Sequence, residues 1–193
     1  MSAAPAHRTA GAAGAARHEI RLVRAGQVRP FLPAVADVGG QVFTRPPWCE
    51  PYPSARGVAA RLLADSRRPG FVLAIAVDGD SEDEVCGFAY GVSCSRLATL
   101  TCGQPHDDFT LRELGVLPHC RGRGLGAALH DSVLAMKGDG PAWLTTHSAA
   151  TTALGLYRRR GWRSVMLYEQ AGATRLIMRR PPSWPASHRE GRT

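Results

Sequence analysis

The hydrophobic and polar positions of the chain follow two periods, one typical of strands and one typical of helices. Alternating or continuous apolar runs predict strands at 19–24, 71–77, 85–92, 109–116, 141–146, 162–169 and 174–178. Apolar residues at spacings of three and four predict helices at 27–43, 54–65, 125–137 and 149–160. Elements in this order predict an α/β (α+β) fold, with a mixed sheet of six to seven strands and helices on both faces.

Proline and glycine interrupt this pattern at defined places. A segment rich in proline and aromatic residues at 44–53 predicts irregular structure between the first two helices. Gly87 and Gly91 fall inside one predicted strand, which often marks a bend or a β-bulge. The polar segment 78–84 predicts a hairpin turn.

Length and composition are those of one globular domain. The chain has 193 residues, of which 44% are hydrophobic and 21% are charged. No apolar run reaches the roughly 18–20 residues that span a bilayer, and residues 1–17 lack the apolar segment of a signal peptide. We expect a cytoplasmic protein with a folded domain at 18–180 between disordered tails at 1–17 and 181–193.

The formal net charge of +8 is spread along the chain. Residues 1–17 and 180–193 contribute +2 each, which leaves +4 for the remainder. The basic run Arg158–Arg160 ends a predicted helix, where the helix dipole favours cations. Because no other basic block is interleaved with aromatic residues, we expect neither a nucleic-acid partner nor a membrane partner.

The five cysteines, at positions 49, 86, 94, 102 and 120, form no C-x-x-C pair. In a chain without a signal peptide they are expected to be free thiols. Cys86, Cys94 and Cys102 recur every eight residues, but no histidine stands at ligand spacing beside them. The sequence therefore predicts no metal site.

A glycine-rich segment, RGRGLG at 121–126, joins the predicted strand at 109–116 to the helix that follows. Unpaired backbone N–H groups at a helix N-terminus attract anions, and glycines let a phosphate approach the backbone closely. The spacing fits neither a Walker loop nor the G-x-G-x-x-G of dinucleotide-binding folds. The segment therefore predicts a phosphate site of another kind.

Two motifs together resemble those of the GNAT superfamily of acyl-CoA-dependent N-acyltransferases. L-x-V-x-P at Leu114–Pro118 and R-x-x-G-x-G at Arg121–Gly126 resemble its motif A, and ALGLYRRRGW at Ala153–Trp162 resembles its C-terminal signature. The resemblance covers roughly residues 19–179. It implies a sheet whose central parallel strands splay apart, with acetyl-CoA as co-substrate in the gap and no metal.

The resemblance also implies which residues bind the cofactor. The motif A strand would hold the pantetheine arm and the acetyl carbonyl through Leu114, Gly115 and Val116. The loop and the start of the helix would bind the pyrophosphate, mainly through backbone N–H groups. These residues are Arg121, Gly122, Arg123, Gly124, Leu125, Gly126 and Ala127.

Acyl transfer to an amine also needs proton transfers. By the resemblance, Tyr157 would protonate the departing CoA thiolate, since a phenol with an ordinary pKa of about 10 suits that role; alternatively, it only packs in the core. Glu113 stands where some members carry a catalytic base; alternatively, it is solvated or salt-bridged and water acts as the base.

Two positions depart from the superfamily: Ala150 replaces a common Asn, and Thr145 occupies a position that is often acidic in peptide-acetylating members.

Acceptor recognition is implied at four aromatic or acidic residues: Trp48, Glu50, Tyr90 and Asp108. Such residues suit a cationic amine, but they could equally form a packed loop and a turn.

We therefore expect an N-acetyltransferase, monomeric or homodimeric, that transfers acetyl directly from acetyl-CoA to a primary amine of a small molecule or peptide in a ternary complex. A non-catalytic CoA-binding sensor, or an acyltransferase for another acyl group in secondary metabolism, is the alternative.

Overall fold

The computed structural model describes residues 18–79, 84–101, 103–170 and 172–182. The tail predicted at 1–17, residues 183–193 of the tail predicted at 181–193, residues 80–83 of the turn predicted at 78–84, and Cys102 lie outside the described residues. The strands within the described ranges are β1 (His18–Val23), β2 (Val72–Asp78), β3 (Val85–Ser93), β4 (Phe109–Val116), β5 (Ala142–His147), β6 (Arg163–Gln170) and β7 (Ala173–Arg180). The α-helices are α1 (Leu32–Phe43), α2 (Tyr52–Arg56), α3 (Val58–Asp65), α4 (Arg96–Leu100), α5 (Leu125–Ala135) and α6 (Thr151–Arg159).

In the described ranges the strands form one seven-stranded mixed sheet in the order β1-β2-β3-β4-β5-β7-β6. Neighbouring strands are antiparallel except for the central pair β4 and β5, which is parallel. That pair is short, because Phe109–Leu111 of β4 pairs with Ala142–Leu144 of β5 and the pairing then ends. The predicted fold class and the splayed central strands are confirmed.

A β-bulge lies where β4 leaves β5. Tyr90 of β3 pairs with Glu113, but the next residue, Gly91, pairs with Leu111, so Arg112 is the extra residue on β4. A bulge bends a strand and increases its twist, and this one directs the rest of β4 away from β5. The pairing therefore becomes irregular at Gly91, as its place in the sequence predicts, but the extra residue is on the partner strand β4.

Helices cover both faces of the sheet. A Cβ added at Gly115 of β4 would contact Val38 of α1 at 3.4 Å, whereas one added at Gly87 of β3 would contact Leu129 of α5 at 3.2 Å. Gly87 pairs with Val116, the neighbour of Gly115, so α1 and α5 lie on opposite faces. Leu129 is fully buried between α5 and the sheet.

The observed helices differ most from the prediction in the first hundred residues of the chain. Helix α1 begins only at Leu32, after two short 3₁₀ turns. The helix predicted at 54–65 is divided at Gly57 into α2 and α3, and α2 begins at Tyr52 inside the segment predicted to be irregular, with a proline in its first turn, where proline is tolerated. Helix α4 was not predicted, since five residues are too few to show a period. None of the helices in the described ranges has the length and apolarity needed to cross a bilayer.

Candidate active site

The loop between β4 and α5 presents a row of free backbone donors. Gly122 and Gly124 adopt positive φ angles of 79° and 80°, a conformation that residues with a Cβ rarely adopt. Gly124 is also the N-cap of α5. In the described part of the chain, no backbone N–H group from Gly122 to Ala127 donates to a protein acceptor. With the positive end of the helix dipole, these groups form a cradle for an anion, here called the phosphate loop (residues 121–127).

The two arginines of the phosphate loop are engaged with protein groups. Arg121 donates from Nε to the carbonyl oxygen of Val116 at 3.1 Å, which fixes the loop to the end of β4. Arg123 donates from Nη1 to Nε2 of His18 at 3.2 Å. The backbone is therefore the part of the loop that is most free to bind a ligand.

A cleft of about 780 Å³ extends from the phosphate loop through the gap between β4 and β5. The predicted cofactor residues that line it are Leu114, Val116, Arg121, Gly122, Gly124, Leu125, Gly126 and Ala127. Gly115 and Arg123 do not line the cleft, because the first faces α1 and the second is turned towards His18.

Tyr157 reaches the cleft from α6 and is only 7% exposed. Its ring packs against those of His130 and Trp162, with centroid distances of 6.2 and 6.0 Å. Within the described residues its hydroxyl has no hydrogen-bond partner. Burial, and then the charge of Glu113, raise the pKa of Tyr157, so the phenol is protonated at neutral pH. The residue packs in the core and also faces the cleft.

Glu113 lines the same cleft and is salt-bridged. Arg61 of α3 donates to its Oε1 from Nε at 3.2 Å and from Nη2 at 3.1 Å. Burial raises the pKa of Glu113, while the guanidinium of Arg61 acts in the opposite direction. The carboxylate is therefore both partnered and open to the cleft, with 22% of its side chain exposed.

Among the predicted acceptor residues, Trp48 lines the cleft, beside Phe43, with the two ring centroids 5.8 Å apart in an edge-to-face arrangement. Glu50 does not line it and lies 3.9 Å from Arg175. Of these two residues, Trp48 is thus the one that faces the cleft.

Tyr90 and Asp108 are buried away from the cleft. The hydroxyl of Tyr90 donates to Asp65 at 3.4 Å. Asp108 accepts hydrogen bonds from Nε1 of Trp143 at 2.8 Å and from the backbone N–H of His106 at 3.0 Å. Both side chains stabilise the fold, and neither enters the function proposed below.

On α6 and directly after it, sequence reasoning found Tyr157 but missed four other residues of the cleft wall. Thr151, Thr152, Arg159 and Arg160 line it. The basic run at the end of α6 is visible in the sequence, where it predicts only a favourable interaction with the helix dipole. Arg160 is fixed by Asp131, which accepts bonds of 2.7 and 2.9 Å from its Nε and Nη2.

Comparison with known protein families identifies the family to which the β4 strand, the phosphate loop and Tyr157 belong. The Acetyltransferase (GNAT) domain family matches residues 69–164, which include β4, the phosphate loop and Tyr157. The chain belongs to the GNAT superfamily. The resemblance seen in the sequence is confirmed. No curated protein sequence matches the chain significantly.

This chain aligns with nearly the whole length of several solved structures that have the GNAT fold. The Escherichia coli ribosomal-protein-S18-alanine N-acetyltransferase is 17% identical, with a TM-score of 0.60 over 89% of this chain and 98% of that one. Arabidopsis thaliana NAA60 with a bisubstrate analogue is 18% identical, with a TM-score of 0.60 over 86% and 99%. The PaiA N-acetyltransferase from Thermoplasma acidophilum in complex with coenzyme A is 15% identical, with a TM-score of 0.57 over 86% and 99%. At these identities the similarity shows the shared fold.

Proposed function

We propose that the protein is an N-acetyltransferase that transfers the acetyl group of acetyl-CoA directly to a primary amine in a ternary complex. The observation that carries the proposal is the continuity of the cleft. It begins at the free N–H groups of residues 122–127, follows the unpaired side of β4 and reaches Tyr157 and Glu113. A ligand with a phosphate group, an extended arm and a reactive end matches that order.

In this proposal the phosphate loop binds the pyrophosphate of acetyl-CoA through backbone N–H groups. Beyond Leu111, β4 has no strand partner on the side of β5. The amide groups of the pantetheine arm extend along that side, close to Leu114 and Val116. The packing of the protein does not itself require glycine at position 126, since an added Cβ would lie 3.6 Å from Leu156. The lack of a Cβ there instead suits a ligand that approaches the backbone closely.

Tyr157 and Glu113 supply the two proton transfers. The amine nitrogen attacks the thioester carbonyl carbon, and collapse of the tetrahedral intermediate breaks the C–S bond. Tyr157 donates its proton to the leaving sulfur, a role that suits a phenol held protonated by burial. Glu113, directly or through water, first accepts a proton from the cationic amine, which frees the nitrogen lone pair for the attack. The second proton that the nitrogen loses as the amide forms restores the phenol of Tyr157.

The acceptor enters from the end of the cleft that Trp48 and Glu113 line. An aromatic ring and a carboxylate attract an amine in its cationic form. One of the compared proteins supports an amine acceptor, since its name specifies N-acetylation of an alanine of a ribosomal protein. Either a small molecule or a peptide satisfies this requirement.

The test is calorimetric titration of the purified protein with acetyl-CoA, CoA and malonyl-CoA, repeated on Gly124→Glu. We expect micromolar binding of acetyl-CoA by the wild type and its loss in the variant, because a carboxylate would occupy the phosphate position. The matched control is Gly172→Glu in the turn between β6 and β7, since Gly172 has a similar φ of 74° and an equally open environment.

Absence of acetyl-CoA binding by the wild type, or an equal loss in both glycine variants, would contradict the proposal. Once binding is established, release of free CoA in the presence of a panel of primary amines distinguishes an enzyme from a CoA-binding sensor. Malonyl-CoA binding tighter than that of acetyl-CoA would indicate another acyl group.

A further inference from the structure

A second group of ligating side chains lies outside the cleft, at the ends of three neighbouring strands. It consists of His18 at the start of β1, Asp78 at the end of β2 and Cys86 near the start of β3. His18 and Asp78 are paired residues of adjacent strands. One nitrogen, one carboxylate oxygen and one sulfur from these residues all lie within 4.8 Å of one another.

The spacing of these atoms fits a shared metal ion. The sulfur of Cys86 lies 3.8 Å from Nδ1 of His18. With Zn–S and Zn–N bonds of about 2.3 and 2.0 Å, a tetrahedral ion would hold these two atoms about 3.5 Å apart. Small side-chain rotations are therefore sufficient to bring all three atoms to bonding distance.

The chemistry of the three groups selects the kind of ion. A thiolate and a carboxylate together neutralise a divalent cation, and a neutral imidazole completes the set. Sulfur and nitrogen ligands favour Zn²⁺ over Mg²⁺ or Ca²⁺, which prefer oxygen. We propose that His18, Asp78 and Cys86 bind a Zn²⁺ ion, with solvent at the fourth position. Because His18 and Asp78 are only partly buried, the ion has a route of entry.

Binding of Zn²⁺ is linked to the phosphate loop through His18. A guanidinium can only donate, so the bond from Arg123 makes Nε2 of His18 an acceptor and leaves the proton on Nδ1. A metal ion needs the Nδ1 lone pair, so the single ring proton moves from Nδ1 to Nε2, and the thiol proton of Cys86 is released to solvent. The bond from Arg123 to His18 then cannot persist. Removal of Arg123 is thus expected to strengthen metal binding severalfold.

The test uses the full-length chain without an affinity tag, kept reduced by a phosphine and titrated with Zn²⁺ in a calorimeter and with Co²⁺ in a spectrophotometer. The reductant is needed because the thiol of Cys120 lies beside that of Cys86, and oxidation of the two would remove the ligand. We expect one equivalent of Zn²⁺, and with Co²⁺ a thiolate-to-metal charge-transfer band together with intense tetrahedral visible bands. Arg123→Ala should bind Zn²⁺ severalfold more tightly.

Two variants and one control decide the outcome. Cys86→Ser should lose the charge-transfer band, and His18→Gln should weaken Zn²⁺ binding at least tenfold. Cys94→Ser, a partly buried cysteine outside the cluster, should retain both signals. A wild type without the thiolate band, or a band that persists in Cys86→Ser, would overturn the proposal. Should Cys86→Ser fail to fold, unchanged affinity in His18→Gln overturns it instead. None of these measurements involves acetyl-CoA, so they stand apart from the proposed acetyl transfer.

Discussion

Arg61 directs two donors, Nε at 3.2 Å and Nη2 at 3.1 Å, to a single oxygen of Glu113. The other oxygen, Oε2, has no hydrogen-bond partner among the described residues. The guanidinium thus holds the carboxylate in one orientation while leaving an oxygen available to the cleft. It also counteracts burial, the main cause that raises the pKa of Glu113.

This pair predicts the pH dependence of catalysis. A general base must be deprotonated, so kcat/KM is expected to fall as the pH decreases through the pKa of Glu113, which lies above the ordinary value for glutamate. Arg61→Gln removes the charge that opposes this rise, and the acidic limb of the profile should move to higher pH. Glu113→Gln should abolish the limb and lower kcat/KM by about 10²–10⁴-fold.

The control for this series is Arg68→Gln, which removes a neighbouring arginine paired with Asp65 at 3.7 Å. Its pH profile should match that of the wild type. An acidic limb that stays in place in Arg61→Gln, together with an unaffected rate in Glu113→Gln, would assign the base to water.

The variant Tyr157→Phe distinguishes the proposed role of Tyr157 as a proton donor from its role in packing. The phenyl ring can still pack against His130 and Trp162, so the Kd for acetyl-CoA and the thermal midpoint should change little. Loss of the proton donor should lower kcat by about 10²–10⁴-fold. Both quantities are measured on the same preparation, by calorimetry and by CoA release. An unchanged kcat would mean that Tyr157 only packs.

His130 is expected to make stability depend on pH. It is buried, accepts a hydrogen bond from Nε1 of Trp162 at 2.9 Å and directs its other nitrogen to Asp131 at 2.7 Å. Burial lowers the pKa of His130 below its ordinary value, so the unfolded state binds the proton first. Its stabilising contribution is therefore complete above the unfolded pKa of about 6.5 and decreases as the pH falls below it.

Urea denaturation of the wild type and of His130→Gln between pH 8 and pH 5 checks this effect. The variant should be less stable at pH 8 but should lose less stability on acidification. His106→Gln, in an exposed loop, is the control and should retain the slope of the wild type. Equal slopes in the wild type and His130→Gln would contradict the assignment.

Gly91→Ala tests the bulge that separates β4 from β5. An added Cβ would collide with the Phe109 ring and lie 2.7 Å from the Thr110 carbonyl oxygen, so the strand pair must shift. We expect a loss of about 1–3 kcal/mol in the free energy of unfolding, typical of overpacking. Gly26→Ala, where no atom lies within 4 Å, should change it by less than about 0.5 kcal/mol. Similar losses in both variants would contradict the steric argument.

Several features of the site could be predicted because their signals are local. The phosphate loop depends on neighbouring residues, and the helix after it has apolar residues at regular spacing. The position of Tyr157 is predicted by a sequence signature that lies within and just after one helix, α6. The acceptor side could not be predicted in this way, since Trp48 and Tyr90 are both aromatic, yet one lines the cleft and the other lies in the core. Whether an aromatic side chain lines the cleft or lies in the core depends on how the strands and helices pack against one another.

By itself, the sequence determined the order of the strands and helices, the phosphate loop and the superfamily, because period, turn chemistry and motif spacing act over short stretches of chain. Only the tertiary structure decided which distant groups meet. Arg61 and Glu113 are 52 residues apart, and His18 and Cys86 are 68 residues apart. The contacts between these residues depend on helix packing and on strand register, which result from burial of the whole core and leave no signal in the spacing along the chain.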